Sequence, residues 1–314
     1  MLVGIIDNPW SFRGAYPVRA IEPILAAAGW RWRVYSRVRG GATAPLVARA
    51  LDDGAGLVVA AGGDGTLRDV ASVVATTGVP LGVLPGGTAN VFAREMGIPI
   101  APAAAAWALV EGVERTMDLG RVTLADGRWA RFVIAAGLGL DGAILRATLP
   151  GLKRLVGPVA IAAAALAVAP GWRTRQVRVS VDGRTGWEGP AWQLIVGNTR
   201  LYANLVWPNP LARPDDGLLD LCLLPGVPVP RLLRLGVELA VRRVPPADGA
   251  VWLVGRSIRI DVTDGGLPLQ LDGTPVRGPG VSAATFAAEA AALRVRLPSG
   301  GGPARDSPEQ VARA

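Results

Sequence analysis

A glycine-rich turn between a strand pattern and a helix pattern constrains this chain more than any other feature. Residues 57–70 read LVVAAGGDGTLRDV, an apolar run that ends in two glycines, an aspartate, a third glycine and a threonine before a helical pattern begins. Glycines let backbone N–H groups approach an anion closely, and the positive end of a helix dipole favours negative charge there. The stretch predicts a phosphate-binding turn, or else an ordinary strand-to-helix turn that needs glycine for backbone reasons.

Asp64 lies inside this turn, where its carboxylate would repel a bare phosphate group. An acidic side chain fits there if it binds a metal ion or a hydroxyl group beside the phosphate. Asp64 is therefore a candidate catalytic residue.

A second turn of the same kind follows in residues 85–95, PGGTANVFARE, directly after a short apolar run. Thr88 offers a hydroxyl and Asn90 an amide, and both groups suit a phosphate or a ribose, although either could simply cap the next helix. Two successive strand–turn–helix units place their turns at the same edge of a parallel sheet. Ligands bind at that edge in open α/β sheets.

The composition of the 314-residue chain removes several kinds of chemistry. The chain has no histidine, which excludes histidine bases, histidine metal ligands and Ser-His-Asp hydrolysis. Cys222 is the single cysteine, so the sequence predicts no internal disulfide, no cysteine zinc site and a cytoplasmic location. The remaining carboxylates, hydroxyls and arginines suit metal-assisted phosphoryl transfer.

The net charge of +8 is carried almost wholly by arginine, because Lys153 is the sole lysine. This charge favours an anionic membrane surface as a partner, or reflects only the base composition of a genome. No nucleic-acid-binding motif is visible, and no nucleic-acid partner is expected. The apolar run 159–169 is shorter than the ~20 residues of a membrane-spanning helix and predicts a core or interfacial helix. We therefore expect peripheral attachment to the inner face of a membrane.

The pattern along the chain predicts two domains and a tail. Residues 1–120 alternate apolar strands with helical patterns, which predicts an α/β domain with a parallel sheet. Residues 121–282 carry short β segments separated by Gly, Pro and Asp-Gly turns, which predicts a β-sandwich-like domain. A strand within 283–298 is expected to complete the first domain, and residues 299–314 are expected to be a disordered tail. The predicted strands of the first domain are 2–6, 57–61 and 81–84, and its predicted helices are 17–28, 45–53, 67–77, 90–96 and 102–112.

The two glycine turns and four further segments resemble the diacylglycerol kinase catalytic-domain family, which includes bacterial lipid kinases, sphingosine kinases and ceramide kinases. The GGDGT motif also occurs in NAD kinases, whereas PGGTANVFARE and RPDDGLLD are much more specific to the lipid kinases. The further segments are IIDNPWS at 5–11, FVIAAGLGLDGAIL at 132–145, VGNTRLYANLVWPNPLARPDDGLLDL at 196–221 and LQLDGTPV at 269–276.

The resemblance implies an ATP-binding α/β domain of the NAD-kinase and diacylglycerol-kinase kind, a β-rich lipid-substrate domain, and a site in the cleft between them. It implies ATP-dependent phosphorylation of the hydroxyl of diacylglycerol or a related sphingoid lipid at the membrane surface. It also implies a structural Mg²⁺ site, as in bacterial members, in which Asp216 gives a carboxylate, and Arg213 and Leu218 give backbone oxygens. A tight turn beside Gly217 is the alternative for Asp216. The residues that match the nucleotide contacts of the family are Thr43, Gly62, Gly63, Asp64, Gly65, Thr66 and Thr88.

Asp272 is the candidate general base, because a carboxylate can position the lipid hydroxyl and accept its proton. It precedes Gly273 at a strand end, so an Asp-Gly hairpin turn is the alternative reading. Thr274 stands where the family carries glutamate, and a hydroxyl supplies no negative charge. A catalytically weak lipid or nucleotide binder therefore stays open. A small-molecule kinase of the NAD-kinase kind, which would share GGDGT but not RPDDGLLD, also stays open. A homodimer also stays open.

Overall fold

The computed structural model describes residues 1–10, 16–148, 164, 167–168, 171–203, 206–226 and 249–301. The described chain forms two compact units, residues 1–118 with 290–301 and residues 119–289. The predicted apolar helix at 159–169 lies mostly outside the described residues, as does most of the predicted tail. Within the described part of the chain, no helix combines the length and the apolar character that crossing a bilayer requires.

The first unit contains a parallel sheet whose central strands are the predicted apolar runs. Its strands are β1 (Leu2–Asp7), β2 (Arg31–Ser36), β3 (Leu57–Gly62), β4 (Leu81–Pro85) and the end of a last strand, β15 (Ala283–Leu297). The order is β15-β4-β3-β1-β2, and Val295 pairs with Leu81 in parallel. Every residue of β3 and β4 is buried, as parallel strands with both faces covered require.

Five α-helices follow these strands in the described part of the first unit. Pro23 divides the helix predicted at 17–28, because proline is tolerated in the first turn of a helix but not in its interior. A 3₁₀ turn at Val18–Ala20 precedes the first α-helix, which begins one residue before this proline. The helices are α1 (Glu22–Ala27), α2 (Ala44–Asp52), α3 (Asp64–Val74), α4 (Val91–Glu95) and α5 (Pro102–Val110).

The second unit is mostly antiparallel sheet. Besides the first part of β15, its strands are β5 (Val113–Leu124), β6 (Trp129–Phe132), β7 (Ala135–Gly139), β8 (Arg175–Val181), β9 (Arg184–Gly197), β10 (Leu219–Pro225), β11 (Val251–Gly255), β12 (Ser257–Val262), β13 (Leu269–Leu271) and β14 (Thr274–Pro275). The strand order is β14-β13-β7-β9-β8-β12-β15, with β10 pairing β9 and β11, and β5 pairing β6. One described α-helix, α6 (Leu140–Ala147), follows β7.

The predicted fold class, an α/β unit followed by a β-rich unit, is confirmed by these two architectures. Each unit has its own apolar core. Val59 and Leu84 belong to the core of the first unit, while Phe132 and Phe286 pack edge to face in that of the second. The strand β2 was not predicted, because four of its six residues are exposed and its pattern is not a continuous apolar run.

Candidate functional site

The two predicted glycine turns lie against each other in the first unit. The Gly86 amide donates a hydrogen bond of 2.8 Å to the Gly62 carbonyl. A Cβ atom placed on Gly87 would lie 2.5 Å from the Cα of Gly63, closer than any side chain tolerates against backbone. Glycine is therefore required at this contact because two backbones meet there, in addition to any role in binding an anion.

Asp64 joins the first turn to the helix that follows the second. Its two carboxylate oxygens accept hydrogen bonds of 3.1 Å from the amides of Val91 and Phe92, at the start of α4. An acidic group at a helix N-terminus satisfies amides that have no acceptor within the helix. Asp64 thus caps α4 from a distant part of the sequence, and its predicted catalytic role stays a prediction.

Asn90 occupies the N-cap position of α4, but its side chain makes no capping hydrogen bond. The Asn90 side chain instead closes the second turn on itself, because it accepts from the Gly87 amide and donates to the Gly87 carbonyl at 2.8 Å each. Asn90 has a φ of +48°, a left-handed conformation that asparagine tolerates better than most residues. Thr88 is exposed at the same turn, so its hydroxyl is accessible to a ligand.

The other predicted nucleotide contacts surround the first turn. The Asn8 amide donates a 2.9 Å hydrogen bond to the buried Thr66 hydroxyl and so ties the end of β1 to α3. Thr43 is also buried, and its hydroxyl lies 3.5 Å from the Asp69 carboxylate. Arg68 forms an ion pair of 2.9 Å with Asp69.

These features fit an anionic phosphate group. Gly62 and Gly63 bring backbone without side chains to the start of α3, and Gly65 lies in the first turn of that helix. A helix N-terminus preceded by a glycine turn presents N–H groups and a positive partial charge to an anion. The sequence correctly predicted the two glycine turns and the helix that follows.

Asp272 occupies a comparable position in the second unit. Its carboxylate accepts hydrogen bonds from the amides of Val133, Ile134 and Ala135 at 2.9, 2.9 and 3.1 Å. Asp272 and Gly273 form the two-residue turn between β13 and β14, with φ angles of +47° and +73°. The predicted Asp-Gly hairpin turn is therefore present, and the same carboxylate is held by three backbone donors.

A buried polar cluster beside this turn was not predicted. The Tyr202 hydroxyl donates to the Asp141 carboxylate, and the Gln270 amide nitrogen lies 3.1 Å from Asp141 Oδ2 and 2.9 Å from the Tyr202 oxygen. The Gln270 oxygen accepts from the Gly273 amide at 2.7 Å, which connects the cluster to the Asp272 turn. Burial raises the pKa of the Asp141 carboxyl and that of the Tyr202 hydroxyl.

The sequence held one signal for this cluster, the GLGLDG segment at 137–142. A Cβ atom on Gly137 would overlap the Asp141 carboxylate, so glycine leaves the space that the carboxylate fills. The partners Tyr202 and Gln270 carry no local signal, because they reach Asp141 from segments 61 and 129 residues away along the chain.

The three predicted metal ligands lie in one loop before β10. Arg213 donates to Asp215 at 3.2 Å, and an oxygen of Asp216 accepts from the Leu218 amide at 3.0 Å across Gly217. The predicted tight turn at Asp216 is thus present. The described residues contain no cluster of three or more acidic, histidine or cysteine side chains of the kind that holds a metal ion.

The donor set of this loop nevertheless fits a hard divalent cation. Burial, followed by the negative charge of Asp216, raises the pKa of Asp220 to about 7. Two carboxylates that interact in this way, together with backbone oxygens, are ligands that Mg²⁺ accepts. Bound Mg²⁺ would favour the ionised form of Asp220 and remove the repulsion.

We expect the metal-free protein to lose stability as pH rises from about 4 to about 7. The unfolded chain releases the Asp220 proton near pH 4, whereas the folded chain holds it to about pH 7. The penalty reaches up to about 4 kcal/mol above that range. Urea unfolding in chelator at pH 5 and pH 8 should show about 2–3 kcal/mol of this penalty, since part of it is already present at pH 5, and added Mg²⁺ should reduce the difference.

The Asp220→Asn variant should remove most of this pH dependence, since asparagine does not titrate. Asp52→Asn, at an exposed aspartate of the first unit, is the control and should leave the dependence unchanged. An equal decline in the Asp220→Asn variant would show that another group causes it.

Two family models match this chain and divide it near the boundary of the two units. The model described as diacylglycerol kinase catalytic domain matches residues 3–122. The model described as YegS C-terminal NAD kinase beta sandwich-like domain matches residues 134–296.

Curated relatives match over almost the whole chain. A protein of Pseudomonas aeruginosa named probable lipid kinase YegS-like is 34% identical over 303 residues, which are 95% of each chain. A protein of the same name from Stenotrophomonas maltophilia is 33% identical and covers 81% of this chain and 82% of its own. The crystal structure of a diacylglycerol kinase from Bacillus anthracis matches with a TM-score of 0.69 at 19% identity, covering 95% of this chain and 97% of that one. At that identity, the likeness concerns the fold.

Proposed function

The chain belongs to the diacylglycerol kinase family of lipid kinases, which are phosphotransferases with an alcohol group as acceptor, and on that premise we propose its reaction. The protein uses ATP and Mg²⁺ to transfer the γ-phosphate to the hydroxyl of diacylglycerol or a related sphingoid lipid. The observation that carries the proposal is the pair of glycine turns, Gly62–Gly63 and Gly86–Gly87, packed against each other at the carboxyl ends of β3 and β4.

The nucleotide phosphates are assigned to the first unit. The phosphates would be bound by the glycine turn and the N-terminus of α3. Together these attract an anion, although neither segment contains a lysine. Thr88 is exposed at the second turn, where its hydroxyl can donate to a phosphate oxygen or a ribose. Arg68 lies on the second turn of α3 in the same region, where it is ion-paired with Asp69.

The acceptor hydroxyl is assigned to Asp272 in the second unit. Three backbone donors fix this carboxylate in one orientation, which favours catalysis because the base need not reorganise in the transition state. As the hydroxyl oxygen attacks the γ-phosphorus, its proton passes to Asp272, and ADP leaves with the bridging oxygen. The chain has no histidine that could take this role.

A divalent metal ion supplies charge stabilisation to the phosphates in phosphoryl transfer generally. The structural Mg²⁺ site that the family resemblance implies is a separate one: it would use the Asp216 carboxylate and the backbone oxygens of Arg213 and Leu218. The raised pKa of the adjacent Asp220 supports a cation at this loop, because the carboxylate pair is otherwise unfavourable.

Labelled ATP with a panel of lipids in mixed micelles tests the proposal. The expected result is a phosphorylated diacylglycerol or sphingoid lipid that disappears when a chelator is added. Phosphorylation of NAD instead of any lipid would establish a small-molecule kinase. Binding of ATP and lipid without turnover would establish a catalytically weak binder. Thr274, which stands where the family carries glutamate, is the reason to test for this outcome.

A further inference from the structure

The β5–β6 hairpin of the second unit presents an arginine–tryptophan face to solvent. Its register pairs Arg121 with Arg131 and Thr123 with Trp129, so these four side chains share one face. The opposite face carries Val122 and Phe132, which are buried in the core of the unit. The alternation therefore fixes which side of the hairpin meets solvent.

Trp129 is the central side chain of this face. It is 52% exposed, and the guanidinium groups of Arg121 and Arg131 lie 4.6 and 5.4 Å from the centre of its ring. Glu289 forms ion pairs with both arginines, which leaves one positive charge in excess. Trp129 is not among the side chains that pack on the core of the unit, so its ring and the two cations beside it are available to a partner.

A basic cavity of about 150 Å³ adjoins the end of the same hairpin. Arg146 donates to the carbonyls of Val276 and Gly278 and thereby shapes the loop on one side of the cavity. Arg277, on that loop, makes no ion pair or hydrogen bond within the part of the chain that the structure describes. Arg128 also lines the cavity, and its charge is balanced by Asp126.

The hairpin face and the cavity together carry five arginines and two carboxylates, a net charge of +3. These residues are Arg121, Arg128, Arg131, Arg146, Arg277, Asp126 and Glu289. We infer that this surface docks the protein on a bilayer that contains anionic phospholipid. Trp129 lies at the level of the headgroups, and Arg277 binds a lipid phosphate in the cavity.

The chemistry of the surface favours an anionic bilayer over a second copy of this chain. Tryptophan prefers the membrane interface, where its ring is buried and its N–H stays hydrated. Each arginine near an anionic leaflet contributes about 1 kcal/mol, which is about fivefold in binding. A second copy would bring the same net positive charge to the contact, and like charges would repel each other. The inference takes only the lipid nature of its partner from the proposed function.

Co-sedimentation with vesicles tests this surface. The full chain is mixed with vesicles of phosphatidylcholine alone, or of phosphatidylcholine and phosphatidylglycerol in equal parts. We expect binding to the anionic vesicles only. Arg277→Gln and Trp129→Ala should each weaken it about fivefold, and the double variant about 25-fold. The matched controls are Arg184→Gln and Trp107→Ala, at exposed residues outside this surface, and they should bind as the parent does.

Phosphorylation of a lipid dispersed in detergent micelles is measured on the same proteins. The docking variants should retain this activity, since neither residue belongs to the proposed catalytic machinery. Unchanged vesicle binding in the double variant would overturn the inference. It would also be overturned if the protein bound no vesicles and instead formed a dimer that Trp129→Ala dissociates. A third outcome is that the parent protein phosphorylates no lipid and yet binds vesicles, with binding lost only in the docking variants. That result would refute the proposed function and support the inferred docking surface.

Discussion

The Asp272→Asn variant is expected to lose phosphoryl transfer by about 10³-fold while it remains folded. A positioned general base contributes about 10² to 10⁴ in rate, and asparagine can accept no proton from the lipid hydroxyl. Asparagine tolerates the left-handed backbone at this position, so the β13–β14 turn is preserved. Single-turnover phosphorylation with saturating ATP measures the loss in the chemical step itself.

The structure adds a cost in stability to this prediction. An asparagine keeps one acceptor oxygen, and its new NH₂ group faces a backbone donor among Val133, Ile134 and Ala135. One such unmade hydrogen bond costs about 1–3 kcal/mol, less than the ~5–15 kcal/mol that holds a typical domain folded. The rate is therefore compared at a temperature well below the unfolding midpoint of the variant.

Asp182→Asn is the matched control for Asp272. Asp182 also accepts two backbone amides, those of Arg256 and Ser257, at a turn of the same unit. It should cost stability without reducing the rate constant of the folded protein. Thr274 is exposed, and Thr274→Glu should change the rate only modestly if Asp272 alone positions the hydroxyl. A rise of tenfold or more would show that the missing glutamate matters.

Near-normal turnover in folded Asp272→Asn would remove Asp272 as the base. Two carboxylates would then need testing, Asp64 and Asp141. Asp141 is the buried group that Tyr202 and Gln270 hold beside the same turn, and burial raises the pKa of its carboxyl.

The Asp64→Asn variant is expected to abolish phosphoryl transfer, with a loss on the order of 10³-fold or more. The carboxylate lies in the phosphate-binding turn, and it also holds the start of α4 through Val91 and Phe92. The substitution removes negative charge from the predicted phosphate-binding turn, and it leaves one of the two α4 amides without its acceptor oxygen. Turnover and ATP affinity, measured together, separate these two effects.

Asp118→Asn serves as the control for Asp64. Asp118 is a buried carboxylate of the same unit that accepts a 2.7 Å hydrogen bond from the Ala291 amide. Its loss should lower stability by a similar amount and leave ATP affinity and turnover intact. If Asp64→Asn loses ATP affinity and turnover in equal proportion, its role is to build the turn. A loss of turnover at unchanged affinity supports a role in the chemical step.

The sequence alone predicted the glycine turns, the three central strands of the first unit and the alternating strands of the second. These features depend on residues close together along the chain, such as an apolar run or a pair of glycines. The sequence also carried the segments that identify the family, and family membership is confirmed by relatives that match along 95% of the chain. Peripheral features were less predictable, and β2 was missed because an exposed edge strand has no apolar run.

The tertiary structure alone decided what the acidic side chains of these turns contact. Asp64 caps a helix 27 residues further along the chain, and Asp272 accepts amides about 138 residues before it. The Asp141 cluster likewise joins three distant segments. Such hydrogen bonds form because packing brings strand ends and loops together, so no local pattern of residue types announces them. A sequence shows that a carboxylate lies in a turn, whereas the donors that meet it are set by the fold.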